Sequence, residues 1–137
     1  MASMQGGCLC GKVRYSTDAD PVFTGVCHCK NCQKETGSAF SLDIGVPKPS
    51  LTVTGMLKTY TDRGDSGQPL YRKFCPDCGS TVLTEAAVMP DVVMIAGGTL
   101  DDTSGLRPAM HIYVSSKQDW AEIPAGAKSF AKMPGPG

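Results

Sequence analysis

The sequence predicts a mainly β fold with one short helix, and three observations carry that reading. The apolar residues fall in many short segments, several with strict alternation, the period-2 pattern of a half-buried strand. Sixteen glycines and ten prolines stand mostly between those segments, where they act as turn residues. One stretch alone, Lys30–Thr36 (KNCQKET), has helical character. At 137 residues, with no internal repeat and no composition break, the chain reads as a single domain spanning 1–137. Its core runs from about residue 5 to 124, and the tail beyond is expected to be flexible.

The elements follow in order. Lys12–Ser16 and Val22–Val26 are β-rich and bounded by Gly, Asp and Pro. Lys30–Thr36 forms the helix, with Gly37 placed to end it in the left-handed conformation. Phe40, Leu42, Ile44 and Val46 then alternate with Ser41, Asp43 and Gly45. Leu51–Thr54, Leu57–Tyr60, Leu70–Phe74, Thr81–Thr84, Val92–Ala96 and His111–Val114 continue the strands. Asp62–Gln68 (DRGDSGQ) reads as a mobile loop and Pro134–Gly137 (PGPG) as a frayed end.

Thirteen basic residues balance thirteen acidic ones, which speaks against a nucleic-acid surface. No apolar run approaches the roughly 20 residues that span a bilayer, and the first residues, MASMQGGCLCGKVRY, lack the apolar core of a secretory signal. A cytoplasmic, reducing location is expected.

Seven cysteines carry most of the chemistry: Cys8 and Cys10 as C-x-C, Cys27, Cys29 and Cys32 as C-x-C-x-x-C, Cys75 and Cys78 as C-x-x-C. An odd number leaves one thiol outside any complete disulfide framework, and clustered cysteines in a reducing compartment more often bind metal. Such spacings let neighbouring sulfurs converge on one ion at Zn–S distances of about 2.3 Å. Structural zinc sites are closed by four protein ligands, whereas catalytic ones keep three and an exchangeable position. Seven divides into four plus three. Cys27, Cys29 and Cys32 can bind an ion nearly alone. In Cys75-Pro76-Asp77-Cys78-Gly79, Pro76 presets a bend and Gly79 permits positive φ, a zinc-knuckle turn that pairs with Cys8 and Cys10. Other partitions satisfy the spacings too, and a second closed site completed by His28, His111 or water is one of them.

The remaining candidates have plainer readings beside the chemical one. His28 sits between two ligands in an extended C-x-C, so its side chain points away from the metal and packs. His111 opens the apolar strand HIYV and reads as a core histidine, and Trp120 as a core anchor. Glu35, Asp43, Asp101 and Asp102 can serve as acids or bases, with solvated surface or turn positions the default for each.

The phrases CHCKNCQKETGSAF (27–40), FCPDCGS (74–80), GGTLDD (97–102) and RPAMHIYVSSKQDW (107–120) resemble the glutathione-dependent formaldehyde-activating enzyme family, which includes centromere protein V. The resemblance runs from Gly7 to about Trp120 and includes the order and spacing of all seven cysteines. It implies a β-tent of short antiparallel sheets, a structural zinc on Cys8, Cys10, Cys75 and Cys78, and a catalytic zinc on Cys27, Cys29 and Cys32. Two Zn²⁺ per chain follow, with carbon–sulfur lyase or synthase activity on glutathione and formaldehyde.

Three thiolates leave a bound Zn²⁺ with net negative charge, so such a site acidifies water poorly and suits a fourth sulfur instead. A thiol bound there becomes a positioned nucleophile for a small aldehyde. Lys30, Lys34, Arg72 and Lys73 flank the clusters and are candidates to meet a substrate's carboxylates, while Gly37, Ser38 and Phe40 are candidate pocket-wall residues. The main alternative is a non-catalytic zinc-binding interaction module. A methionine-sulfoxide-type reductase needs a free nucleophilic cysteine, which two zinc sites would not leave. A cytidine-deaminase-like site needs an H-x-E, which is absent.

Overall fold

The computed structural model describes residues 3–134. Eleven strands and one α-helix, α1 (Lys30–Thr36), make up the described chain, with three single turns of 3₁₀ helix between them. A small antiparallel sheet takes β1 (Met4–Gly7), β2 (Arg14–Thr17) and β5 (Thr52–Thr54), in the order β1-β2-β5. The large sheet contains β3 (Phe23–Cys27), β4 (Ser41–Pro47), β6 (Lys58–Arg63), β7 (Pro69–Phe74), β8 (Thr81–Ala86), β9 (Val92–Ala96), β10 (Met110–Ile112) and β11 (Lys128–Ser129). Its order is β11-β10-β3-β4-β9-β8-β7-β6.

Register decides what each face of the large sheet carries. Val26, Ile44, Val46, Leu83, Val93 and Ile95 point to one face and are buried. Ile44, Val46, Leu83, Val93 and Ile95 share a core cluster with Val13 and Tyr15 at the small sheet. The alternate residues lie on the other face. Cys27 pairs with Ser41, Gly25 with Asp43, Asp43 with Ala96 and Gly45 with Met94. Because the side-chain period along a strand is 2, burying the aliphatic set on one face commits this second set to the other. That second face is the floor of the cavity described below.

Every predicted strand has an observed counterpart, Val92–Ala96 with the same ends and the others with shifted ones, and α1 starts and stops where the sequence places it. Gly37 ends the helix at φ 66°, in the left-handed region. Four findings differ from the sequence reading. The strands β1 (MQGG) and β11 (KS) carry no apolar alternation, and both exist through backbone pairing with neighbours. The large sheet is mixed rather than antiparallel, since β10 runs parallel to both β3 and β11. Asp62 and Arg63 belong to β6, so the loop shrinks to the hairpin turn closed by the Gly67 N–H donating to the Gly64 carbonyl at 3.0 Å. The chain past residue 124 returns to the body: Phe130 N–H donates to the His111 carbonyl and Tyr113 N–H to that of Lys132. Gly135–Gly137 of the predicted frayed end lie outside the described residues.

Trp120 is not a core anchor. It is 70% exposed, its indole N–H donating to the Gln118 side-chain oxygen at 2.6 Å, and Ala121 takes the buried position beside it. The segment after β10 is irregular, so no strand period fixes which of these neighbours turns inward.

Candidate metal centres and the cavity beside one of them

Cys8 and Cys10 follow β1, while Cys75 and Cys78 form the turn between β7 and β8, which brings two distant pairs together. Their four sulfurs lie within 4.8 Å of one another. Cys8 and Cys10 Sγ are 3.6 Å apart, and Cys10 and Cys75 Sγ 3.8 Å. Local backbone holds them. Val13 N–H donates to Cys8 Sγ at 3.3 Å, and Gly79, at φ 79°, donates its N–H to the Cys75 carbonyl at 2.8 Å. The Ser80 hydroxyl and backbone beside Cys78 pull that thiol down to about 5. Cys8 and Cys75 are buried in the hydrophobic core cluster, so whatever joins the four sulfurs also joins the core.

The second cluster forms where β3 turns into α1. Cys27 ends the strand, Cys29 is the N-cap of the helix with its sulfur accepting from Cys32 N–H at 3.3 Å, and Cys32 lies in the first turn. These three sulfurs also lie within 4.8 Å of one another. Hydrogen bonds from the Cys27 and Cys32 thiols hold Cys29 down to about 3, helped by the Cys32 N–H and the Arg72 guanidinium. The same sharing pushes Cys27 upward. Gln33 braces the junction, its amide donating to the carbonyls of His28 at 2.7 Å and Ser116 at 3.0 Å.

His28 is fully buried and turned away from the three sulfurs. Its Nε2 lies 3.0 Å from His111 Nδ1, and Phe40 meets it edge-on at 5.4 Å. His28 Nδ1 is buried without a hydrogen-bond partner. The tautomer with Nε2–H donating to His111 leaves only a lone pair unpaired there, the less costly choice. Burial lowers the pKa of both imidazoles, His28 being lowered further by the neighbouring His111 and Lys117 charges. The pair packs strand β10 against the second cluster.

A cavity of about 1080 Å³ opens over the second face of the large sheet, and Cys27, Cys29 and Cys32 line it. None of the other four cysteines does. Asp43 stands on its floor, one row along from the Cys27–Ser41 pair, and accepts a hydrogen bond from the Ser41 hydroxyl at 2.8 Å. Burial lifts this carboxyl to about 7, against the Ser41 hydrogen bond, with the Cys32 and Glu35 charges adding to the rise. The surface default for Asp43 is therefore corrected. It had a sequence signal in its position between Leu42 and Ile44 of an alternating strand, but that pattern does not say that the second face is enclosed.

Glu35 is corrected as well. It is partly buried, accepts from Thr81 Oγ1, and pairs with the buried Arg72 guanidinium at 3.4 Å. Arg72 also pairs with Asp62 at 3.1 Å, so helix α1 and strands β6 and β7 are clamped together. Asp101, paired with Arg14 Nη1 at 2.9 Å, and Asp102, accepting from Ser104 N–H, are exposed as expected. Among the candidate cations, Lys30 and Arg72 line the cavity, Lys34 lines a smaller adjoining one, and Lys73 is tied to Glu85 at 2.9 Å. Phe40 lines the cavity, while Gly37 and Ser38 are exposed in the turn that ends α1 and are not among its lining residues.

Both clusters can hold a metal ion. A tetrahedral ion with metal–sulfur bonds of about 2.3 Å has sulfur–sulfur edges of about 3.8 Å, close to the 3.6 Å from Cys10 to Cys8 and the 3.8 Å from Cys10 to Cys75. All seven cysteines are free of disulfides. Soft sulfur donors in such sets select zinc or similar ions. No curated protein matches the chain. A crystal structure of a Rhodobacter sphaeroides protein shares the fold, with a TM-score of 0.59 at 19% identity over 93% of this chain and 99% of that one. Residues 3–116, which include all seven cysteines and Asp43, match the family model described as glutathione-dependent formaldehyde-activating enzyme. With that match over most of its length and both cysteine clusters assembled, the chain belongs to the glutathione-dependent formaldehyde-activating enzyme family.

Proposed function

We propose that this protein is a zinc-dependent carbon–sulfur lyase and synthase that joins a small thiol, such as glutathione, to a small aldehyde, such as formaldehyde, and reverses that reaction. It would hold two zinc ions: a structural one on Cys8, Cys10, Cys75 and Cys78, and a catalytic one on Cys27, Cys29 and Cys32. The single observation that carries the reading is the asymmetry of the clusters. The three-sulfur set lines a large cavity and the four-sulfur set does not. Zinc in the three-sulfur set would supply an open position that favours a further sulfur and acidifies a thiol.

The chain's own residues supply the rest. Asp43, held by Ser41 in the cavity floor, would take the proton a thiol loses. A sulfur–carbon bond then forms as the carbonyl π bond breaks, and Asp43 returns the proton to the oxygen. The reverse reaction retraces these moves, so the carboxylate and carboxylic acid forms are both used. Arg72, saturated by Glu35 and Asp62, holds α1 against the sheet. Lys30 stands on the cavity wall, where a thiol carrying carboxylates would meet it.

Exchange NMR of the hydroxymethyl thioether tests the proposal. The zinc-loaded protein should accelerate exchange well above the spontaneous rate, and Cys32→Ser and chelator-treated protein should not. Equal rates in all three samples would contradict it.

A further inference from the structure

We propose that the aldehyde partner carries an apolar chain or ring, and that formaldehyde uses only a small part of the site. This inference rests on the carbon–sulfur reading and names its substrate class. A cavity of about 1080 Å³ slightly exceeds the roughly 300–1,000 Å³ of a pocket for one drug-sized ligand, so it has room for more than a glutathione-sized thiol and the two heavy atoms of formaldehyde.

What lines the space is as telling as its size. The floor is polar nearest the cluster and at the β7–β8 pairing, where Ser41, Asp43, Thr84 and Arg72 stand, and apolar elsewhere, where Ala96, Met94, Met110, Ala86, Leu70 and Phe23 line it. Two glycines let the larger side chains lie down on it. A Cβ at Gly45 would meet the Phe23 ring at 2.4 Å, and one at Gly25 would meet Met110 Cγ at 3.3 Å. Phe23 stands four residues along β3 from Cys27, about 13 Å at the strand rise. Its row includes Met94, through the pairing of both with Gly45. The apolar floor thus runs away from the three sulfurs for the length of a chain of roughly nine carbons, at C–C bonds of about 1.5 Å.

The charged wall residues Lys30, Arg63, Asp65 and Lys132 come from the helix, the β6–β7 hairpin and the C-terminal segment. Those groups suit a polar thiol. Aliphatic and thioether side chains on the floor give such a thiol nothing, and they suit a carbon chain. Methionine adapts to chains of differing shape, which favours a class of aldehydes over a single one. The reaction is unchanged: the S–H proton goes to the carbonyl oxygen as the sulfur–carbon bond forms, and nothing is oxidised or reduced.

The test compares zinc-loaded protein turning over glutathione with formaldehyde, propanal and hexanal. In parallel, NMR of methyl-¹³C methionine protein follows a titration with hexan-1-ol, an unreactive chain. From propanal to hexanal, whose carbonyls are equally reactive, kcat/KM should rise about two- to fourfold for each methylene buried, and the Met94 and Met110 methyl signals should shift with hexan-1-ol. Met94→Trp, which fills the floor, should bring hexanal down to the propanal value. Met94→Ser, which keeps the space but makes it polar, should lower hexanal turnover as well. Turnover of formaldehyde with no gain for hexanal over propanal and unmoved methionine signals overturns this inference and leaves the carbon–sulfur reading intact. Methionine shifts with no turnover of any aldehyde support the apolar site and overturn the reaction.

Discussion

At the scale of single residues, the proposed chemistry turns on Asp43. Its carboxyl is lifted from the ordinary 3.8 to about 7, chiefly by burial. Three thiolates around a divalent ion carry net negative charge, so metal binding keeps the direction of that shift. Between pH 4 and 7 the folded chain therefore binds more protons at this site than the unfolded chain. Stability falls as pH rises through that window, and above it the whole cost of the buried charge is present. Asp43→Asn should melt with wild type near pH 4 and at or above it at pH 8, while turnover falls about 100-fold. Wild-type thiol addition should rise as pH passes 7, and the variant should lose that step. A variant that unfolds at pH 8, or retains full turnover, would count against the role assigned to Asp43. Trp120 gives the opposite case: as an exposed side chain its replacement by alanine should move stability by less than about 0.5 kcal/mol, measured by denaturant unfolding.

The two cysteine turns differ in kind at the scale of elements. The Cys75–Cys78 turn joins the core cluster to the N-terminal hairpin across 65 residues of chain, so metal bound there would contribute directly to folding. Cys78→Ser should cost several kcal/mol, which at about 4 °C per kcal/mol lowers the melting midpoint by more than 10 °C. Cys32→Ser should stay folded and lose one zinc, since α1 remains tied to the sheet by Arg72 and Gln33. Thermal melts with zinc counts on both variants decide the matter, and the reverse order of stability would exchange the two roles. Gly37→Ala, at φ 66°, should cost about 1 kcal/mol by thermal or denaturant melting, with zinc content unchanged.

These elements also show where sequence reasoning reaches and where it stops. The helix was legible because Gly37 ends it by backbone geometry, and the ligand clusters because tight spacing forces sulfurs together. Strand β4 was legible from its alternation. The enclosed second face of that strand was not, because covering it depends on a helix and a C-terminal segment folding back from elsewhere in the chain. Trp120 and the strands β1 and β11 escaped for a related reason, since backbone pairing and loop packing leave no period in the side chains.

At the scale of the whole molecule, one large sheet divides two tasks. Its aliphatic face packs against the small sheet and the buried Cys8 and Cys75, while its other face floors the cavity beside Cys27, Cys29 and Cys32. The packed core and the cavity thus sit on opposite sides of the same strands, each beside its own cluster. That division predicts two zinc ions per chain, of which the cavity-side ion is the first lost to a mild chelator and is restored by added zinc. Elemental analysis before and after chelation checks this. The most direct test of the central claim is zinc K-edge absorption on the fully loaded protein, with and without glutathione. An average of about 3.5 sulfurs per zinc, rising to about 4 when glutathione is added, is the expected result. An unchanged average at saturating glutathione would contradict an open site that takes a thiol.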